Sequence, residues 1–279
     1  MIFKFLGTAA AEGIPAVFCE CEACTIARKR GGKHIRTRSQ AIINDDFLID
    51  LNADTYIHFL NNNIVGSKIK NCIVTHNHSD HFYPAELVMR LPSFGTKKTV
   101  EKLNIYGSET VGKAMSAELF RDRNYNTIGF TAVSPAVSFE TDGYKITPLK
   151  AIHDIASGPL IYLIERDGKT IFYGNDTNFF DESVWEYLKE NKIHLDLVTL
   201  DCTEADVPVM SYIGHMNLND NVKIKERLIE LGCADEKTIF VCNHFSHNGK
   251  DVSYDEFKKI AEEKGFLVSY DGMTIELGL

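Results

Sequence analysis

The chain has 279 residues, which is enough for one large α/β domain or two small ones. Apolar residues make up 44% and charged residues 25% of it, a balance that is typical of globular proteins and excludes a disordered chain. The net charge of −9 argues against a nucleic-acid partner, since a protein that binds a phosphate backbone usually has more basic than acidic residues.

The first residues, MIFKFLGTAAAEG, predict a strand rather than a signal peptide, because their apolar stretch breaks at Gly7. No apolar run approaches the roughly 18 residues that a membrane span requires. From these features we expect a cytoplasmic protein without a membrane partner.

Short runs rich in Val, Ile, Phe and Tyr predict strands along the whole chain, each bounded by turn residues or charge. They lie at 2–7, 41–50, 70–76, 103–107, 144–152, 160–167, 169–176, 195–201, 237–244 and 266–277. Within and between these runs, NDD (44–46) and RDGK (166–169) predict hairpin turns, so part of the sheet is antiparallel.

Helical spacing of apolar residues fills the intervals between strands. The predicted helices lie at 84–91, 108–120, 181–191, 217–232 and 252–265. Strands and helices in alternation predict a layered α/β architecture. No linker or repeat interrupts the chain, and we expect a single domain over residues 1–279.

The most basic segment is ARKRGGKHIRTR (27–38), with six Lys or Arg in twelve residues. It is the one candidate for a nucleic-acid contact. We interpret it as a solvated loop beside the N-terminal cysteines.

The strongest chemical pattern is T-H-N-H-S-D-H at 75–81, which follows a predicted strand. His76 and His78 are two residues apart in extended chain and therefore point to the same side. Asp80 and His81 follow in the turn and can reach a second position nearby. Four potential ligands in seven residues predict a metal site rather than structural histidines.

A second pattern lies near the N-terminus, where Cys19, Cys21 and Cys24 form a C-x-C-x-x-C set in the loop 19–24. Three thiols this close in a reduced compartment predict a structural zinc site, which needs a fourth ligand. A redox pair is the alternative, but it would need only two cysteines. We predict that His247, in N-H-F-S-H, completes it. This would fasten the N-terminal loop beside the active site.

The H-x-H-x-D-H pattern after an apolar strand resembles the metallo-β-lactamase superfamily. The resemblance implies a four-layer αββα sandwich with two mixed β-sheets. It also implies further site residues in chain order: Asp50 as a carboxylate that orients ligands, His153 as the third histidine of the first metal, Asp176 as the bridging carboxylate and His244 as the last histidine of the second metal.

The implied binuclear centre has His76, His78, His153 and Asp176 around one metal. Around the other are Asp80, His81, Asp176 and His244, with Asp80 also counted among the catalytic residues. Imidazole and carboxylate ligands bind Mn, Zn or Fe, and these residue types do not identify which of the three metals is bound. Two such cations can bridge a water molecule and convert it to a hydroxide nucleophile near neutral pH.

The N-terminal pattern GTxxxxGxPxxxCxCxxC, together with H-x-S-H, is similar to one branch of the superfamily, the phosphodiesterases that open 1,2-cyclic phosphates of phosphoribose. This implies a hydrolase for a small, cyclic phosphate ester, and it also implies a homodimer. It also implies that His215, in I-G-H-M-N-L, is a general acid or a donor to a phosphate oxygen. The alternative role for His215 is a cap on the helix that begins near Asn217.

Three other functions remain open on the same fold. They are a lactone or thioester hydrolase, an RNA-processing nuclease and a non-catalytic carrier in cofactor biosynthesis. The acidic charge disfavours the nuclease, and the full ligand set disfavours the carrier.

The remaining histidines are predicted to be surface or core residues without a chemical role. His34, His58 and His194 fall in no motif, and Trp185 is predicted to be a core residue. The segment 82–130 is expected to wall the substrate pocket. Its candidate contacts are Tyr83, Phe94, Phe120, Arg121, Arg123 and Tyr125.

Overall fold

Fourteen strands and six α-helices are found in the part of the chain that the computed structural model describes, which comprises residues 1–91, 94, 101–119, 127–207, 214–250 and 252–278. The strands are β1 Ile2–Gly7, β2 Gln40–Ile43, β3 Phe47–Ile49, β4 Asn71–Ile73, β5 Leu103–Gly107, β6 Ile128–Ala132, β7 Phe139–Thr141, β8 Tyr144–Lys150, β9 Leu160–Arg166, β10 Lys169–Gly174, β11 Leu197–Asp201, β12 Ile239–Asn243, β13 Leu267–Val268 and β14 Thr274–Glu276. The α-helices are α1 Glu22–Arg30, α2 Thr55–Asn61, α3 Glu109–Glu118, α4 Glu182–Glu190, α5 Leu218–Glu230 and α6 Tyr254–Glu263.

The strands form two mixed sheets of seven strands each. The first has the order β14-β1-β2-β3-β4-β5-β6, and the second has the order β13-β12-β11-β10-β9-β8-β7. In the first sheet the pairs from β14 to β3 are antiparallel and those from β3 to β6 are parallel. The second sheet divides the same way, with parallel pairs from β13 to β10 and antiparallel pairs from β10 to β7.

The side chains of each strand alternate between two cores, as the period of two dictates. In β3, Phe47 and Ile49 face the core between the sheets, whereas Leu48 faces the outer core beneath the helices. A third core, around the buried Trp185, lies between the second sheet and its helices. Helices, sheet, sheet and helices therefore form four layers, which confirms the predicted αββα sandwich. Among the described residues, no helix has the length and apolarity to cross a membrane.

Both predicted hairpin turns are present, and positive backbone φ angles explain their sequences. Asn44 and Asp45 have φ angles of 50° and 60°, and Asp167 and Gly168 have 51° and 70°. Two successive residues with positive φ form the tight turn that matches the twist of antiparallel strands, and Asn, Asp and Gly tolerate it best.

The prediction of a solvated loop over 27–38 is wrong in two places. Residues 27–30 belong to α1, which ends where Gly31 adopts a φ of 64°. Arg36 is buried, donates to the Ser269 carbonyl at 2.6 Å and to Thr8 Oγ1 at 3.0 Å, and lies over the Phe245 ring. Burial lowers the pKa of Arg36 to about 10. This arginine joins the N-terminal and C-terminal segments.

Two other predicted elements differ in detail. The helix predicted at 84–91 is a 3-10 helix, Pro84–Arg90. The strand predicted at 266–277 is two strands in different sheets, because the chain turns at Gly272, whose φ is 88°.

Candidate functional site

Five polar residues at or just after strand ends converge on one edge of the sandwich, Asp50, His76, Asp176, Asp201 and His244. Asp50, Asp176 and His244 have φ angles of 66°, 52° and 63°. This left-handed region costs a non-glycine residue roughly 1–2 kcal/mol. Strain of this kind persists where the surrounding structure fixes it, often at functional sites.

The first cluster of ring nitrogens comes from His76, His78 and His153. His78 Nδ1 lies 2.9 Å from His76 Nε2 and 3.2 Å from His153 Nε2. Burial lowers the pKa of His76 and of His153, so their neutral forms are favoured. Neutral rings present lone pairs, and one shared proton cannot satisfy three converging nitrogens, whereas a cation can. The cluster therefore fits a metal ion.

The second cluster consists of Asp80, His81 and His244. His81 Nε2 lies 3.3 Å from both Asp80 Oδ2 and His244 Nε2. All three side chains are buried. A buried set of two imidazoles and a carboxylate is a typical ligand set for a divalent transition metal.

Asp176 lies between the two clusters. Its Oδ2 is 3.0 Å from Nε2 of both His81 and His244, while its Oδ1 is 3.9 Å from His153 Nε2. Oδ2 is buried, yet it accepts no hydrogen bond from the described residues. Burial opposes ionisation of Asp176, but His244 and His81 hold its pKa well below the usual range. An ionised, buried oxygen without a hydrogen bond fits a bridging metal ligand.

Neighbouring groups fix the orientation of the candidate ligands. Asp50 Oδ2 lies 2.8 Å from His81 Nδ1, and Asp50 also accepts from the Thr75 backbone N–H at 2.7 Å. The Gly214 carbonyl lies 3.1 Å from His153 Nδ1, and Thr203 Oγ1 lies 2.8 Å from His244 Nδ1. Such contacts select the ring nitrogen that is left for a metal.

His215 lines the same pocket, where its ring lies 5.0 Å from that of His153 and 5.5 Å from that of His244, measured between centroids. Its Nδ1 is 2.8 Å from Asp201 Oδ2. Burial opposes protonation of His215, but Asp201 outweighs it and raises its pKa to about 9. The adjacent helix α5 is capped instead by Asn217, whose side chain accepts from the Asp220 N–H. The alternative role of His215 as a cap therefore has no support in the geometry.

Asp201 is a site residue that sequence analysis missed. It is fully buried and accepts backbone N–H groups from Asp176, Thr203 and Met216 at 3.0–3.1 Å, besides its contact with His215. Its position at the end of a predicted strand, like that of Asp50, was the one signal that could have found it. Only the topology shows that β11 lies between the strands that carry Asp176 and His244.

The cysteine set forms a separate cluster, Cys19, Cys21, Cys24 and His247. His247 Nδ1 lies 3.4 Å from Cys21 Sγ and 3.6 Å from Cys24 Sγ. Tetrahedral zinc with ordinary bond lengths separates sulfur and nitrogen ligands by about 3.6 Å, so the spacing fits.

The ionisation of the thiols also fits a cation in this cluster. Desolvation opposes ionisation of the exposed Cys21 thiol, but hydrogen bonds from His247 and from the Cys24 backbone lower its pKa to about 6. Burial and the neighbouring cysteines raise the pKa of Cys24 to about 11. Several thiolates can coexist here only if a cation offsets their charge.

The structure thus brings the predicted metal ligands, His215 and Asp50 to one edge, with the cysteine cluster beside them. Trp185 is a buried core residue, as predicted. Tyr83 and Phe94 are exposed and do not line the pocket. Of the other predicted contacts, Phe120, Arg121, Arg123 and Tyr125 lie outside the described residues.

Comparison with solved structures finds the same fold in proteins of low sequence identity. Zinc-bound PqqB from Methylobacterium extorquens is 17% identical, with a TM-score of 0.72 over 99% of this chain and 100% of its own. A diphosphatase from the PhnP family is 20% identical, with a TM-score of 0.75 over 98% of this chain and 96% of its own. Human tRNase Z, short form, is 15% identical, with a TM-score of 0.68 over 100% of both chains.

Sequence comparison identifies the family. No curated protein sequence matches the chain significantly. The model of the beta-lactamase superfamily domain matches residues 51–237, which include the His76–His81 pattern, His153, Asp176 and His215. The chain therefore belongs to the beta-lactamase superfamily and has its metal-binding hydrolase fold.

Proposed function

We propose that the protein is a metal-dependent phosphodiesterase that hydrolyses a small phosphate diester. The observation that carries the proposal is the position of His215, supported by buried Asp201, beside two ligand clusters with Asp176 between them. The similarity to a PhnP-family diphosphatase supports phosphoryl chemistry.

The residues fit a binuclear centre of Mn, Zn or Fe. His76, His78, His153 and Asp176 would hold one cation, and Asp80, His81, Asp176 and His244 the other. When bound, such a pair of cations activates water and offsets the charge of a phosphoryl group. A third cation, zinc, would bind Cys19, Cys21, Cys24 and His247 in a structural role.

His215 would act on the phosphate ester as a proton donor. His215 Nδ1 lies 2.8 Å from Asp201 Oδ2, and the His215 side chain lines the pocket. Asp201 fixes this orientation, and a proton from Nε2 would stabilise the departing alkoxide or a phosphoryl oxygen. No serine or cysteine nucleophile is needed.

The size of the pocket supports a small substrate. Its volume of about 490 Å³ lies in the range of small-molecule sites. The net charge of −9 disfavours long nucleic acids as substrates.

Turnover of bis(p-nitrophenyl) phosphate tests the proposal. We expect the metal-stripped protein to be inactive and to regain activity with Mn or Zn. We also expect His78→Ala to abolish activity without unfolding, because the His78 side chain is 38% exposed and contributes little to the core. No turnover with both metals bound would favour lactone or thioester hydrolysis, and p-nitrophenyl acetate and simple lactones would then be assayed.

His215→Gln isolates the proton donor. We expect kcat to fall by about 10²–10⁴-fold, the usual contribution of a general acid. Metal content, measured by plasma mass spectrometry, should stay unchanged. A variant with full kcat would exclude His215 from the reaction. Loss of metal from the variant would indicate that His215 is a metal ligand and not a proton donor.

A further inference from the structure

Two carboxylates in the wall of the catalytic pocket have no part in the candidate metal clusters. Glu12 follows β1 in the loop that precedes the cysteines, and Glu204 follows β11 in the turn after Asp201. Both side chains are partly exposed, and they border the same cavity as His78, His153 and His215.

Contacts with two neighbouring side chains hold Glu12 in place. Ser246 Oγ donates a hydrogen bond to Glu12 Oε1, and His247 Nε2 lies 3.7 Å from the same oxygen. Both residues precede Asn248, which also lines the pocket. Glu12 is therefore fixed at the rim between the cysteine cluster and the catalytic site.

Glu204 makes no side-chain hydrogen bond with the described residues, so its carboxylate can bind a ligand. Burial raises its pKa, and the negative charges of Asp201 and Glu12 add to this effect, while His215 opposes it. Glu12 and Glu204 line one pocket and can therefore act on the same substrate.

No lysine or arginine lines this pocket in the described part of the chain. The nearby Arg38 donates to the Ala11 carbonyl at 2.8 Å and pairs with Asp54 Oδ1 at 2.9 Å, so its charge is already matched. Apart from His215 and the metals themselves, the described lining of the pocket offers no positive side chain to an anionic group, and the charges of Glu12 and Glu204 repel such a group. Ionised carboxylates accept hydrogen bonds and donate none.

We propose that Glu12 and Glu204 select phosphodiesters whose non-reacting arm carries hydroxyl or ammonium donors, and that they exclude esters with a second phosphate. The inference rests on the proposed phosphodiesterase activity and narrows its substrate class. A cyclic phosphate of phosphoribose has a second phosphate and would be disfavoured.

A matched substrate pair tests the exclusion of phosphate. Thymidine 5′-(p-nitrophenyl phosphate) has a 3′-hydroxyl, and its 3′-phosphorylated analogue differs by that one group. We expect the metal-loaded wild-type protein to prefer the hydroxyl form by at least about tenfold in kcat/KM, since a phosphate monoester brings nearly two negative charges. Glu204→Gln should reduce this preference about tenfold, and Glu12→Gln should reduce it in the same direction.

A second pair identifies the donor. p-Nitrophenyl phosphorylcholine and its uncharged 3,3-dimethylbutyl isostere differ only in the cation. A preference for the choline ester that Glu204→Gln removes would identify an ammonium group as the donor that Glu204 binds. Equal rates for the choline ester and its isostere, with the preference for the 3′-hydroxyl thymidine ester intact, would identify a hydroxyl group.

Controls separate this inference from the proposed function. Glu190→Gln, at the exposed end of α4, should leave the wild-type ratios unchanged. Zinc content must be unchanged in Glu12→Gln, because Glu12 contacts His247. Turnover of both thymidine esters without discrimination, or with discrimination that Glu204→Gln leaves intact, overturns the inference and preserves the phosphodiesterase. No turnover of any ester overturns both.

Discussion

Replacing Asp176 with Asn is expected to lower kcat/KM for bis(p-nitrophenyl) phosphate by about a thousandfold, equivalent to roughly 4 kcal/mol of transition-state stabilisation. Asp176 is the one described residue whose oxygens approach both ligand clusters. An amide of the same shape has no charge to offset two cations and offers only one oxygen. We therefore expect the variant also to bind fewer catalytic metal ions.

Asp167→Asn is a matched control for this change. Asp167 has a φ of 51°, close to the 52° of Asp176, and lies in the exposed turn between β9 and β10. Asn tolerates this backbone conformation as well as Asp does, so neither variant should be strained. The measurements are kcat/KM, metal content and circular dichroism. A folded Asp176→Asn protein with full activity and full metal content would contradict the bridging role.

The four-layer fold was predictable from the sequence for two reasons. Local residue patterns predict its strands and turns, and the resemblance to a known superfamily predicts how the strands are arranged. Runs of β-branched and aromatic residues predict the strands, and the NDD and RDGK turns predict their hairpins. The arrangement of two mixed sheets followed from the resemblance carried by H-x-H-x-D-H, and not from the runs themselves.

Other features depend on contacts between distant parts of the chain, which local patterns do not contain. Arg36 is buried by contacts with Thr8, Ser269 and Phe245, which are distant from it in sequence. Its neighbours in sequence are basic, and they led to the prediction of a solvated loop. Similarly, Asp201 acquires its role from His215 and from the N–H groups of three other residues. In the same way, Gly272 separates β13 from β14, which pair in different sheets although one apolar run spans both.

Replacing Cys21 with Ala is expected to lower the free energy of unfolding of the zinc-loaded protein by a few kcal/mol, with loss of one zinc equivalent. The size of this effect is diagnostic because Cys21 is exposed. Substitution of an exposed side chain without special contacts usually changes stability by less than about 0.5 kcal/mol. Packing therefore cannot account for a larger loss, whereas removal of a zinc ligand can.

The stabilities of the zinc-loaded and zinc-free forms distinguish a zinc ligand from a packing residue. The metal stabilises the folded state by its binding free energy, so wild-type protein and Cys21→Ala should differ when zinc is present and converge when a chelator has removed it. Denaturant unfolding measures both differences, and metal analysis counts the ions. The catalytic metals leave with the chelator in both proteins, so their contribution cancels in the comparison. Equal stability in zinc, or a stability gap that persists after chelation, would show that the cysteine cluster does not hold a structural zinc ion.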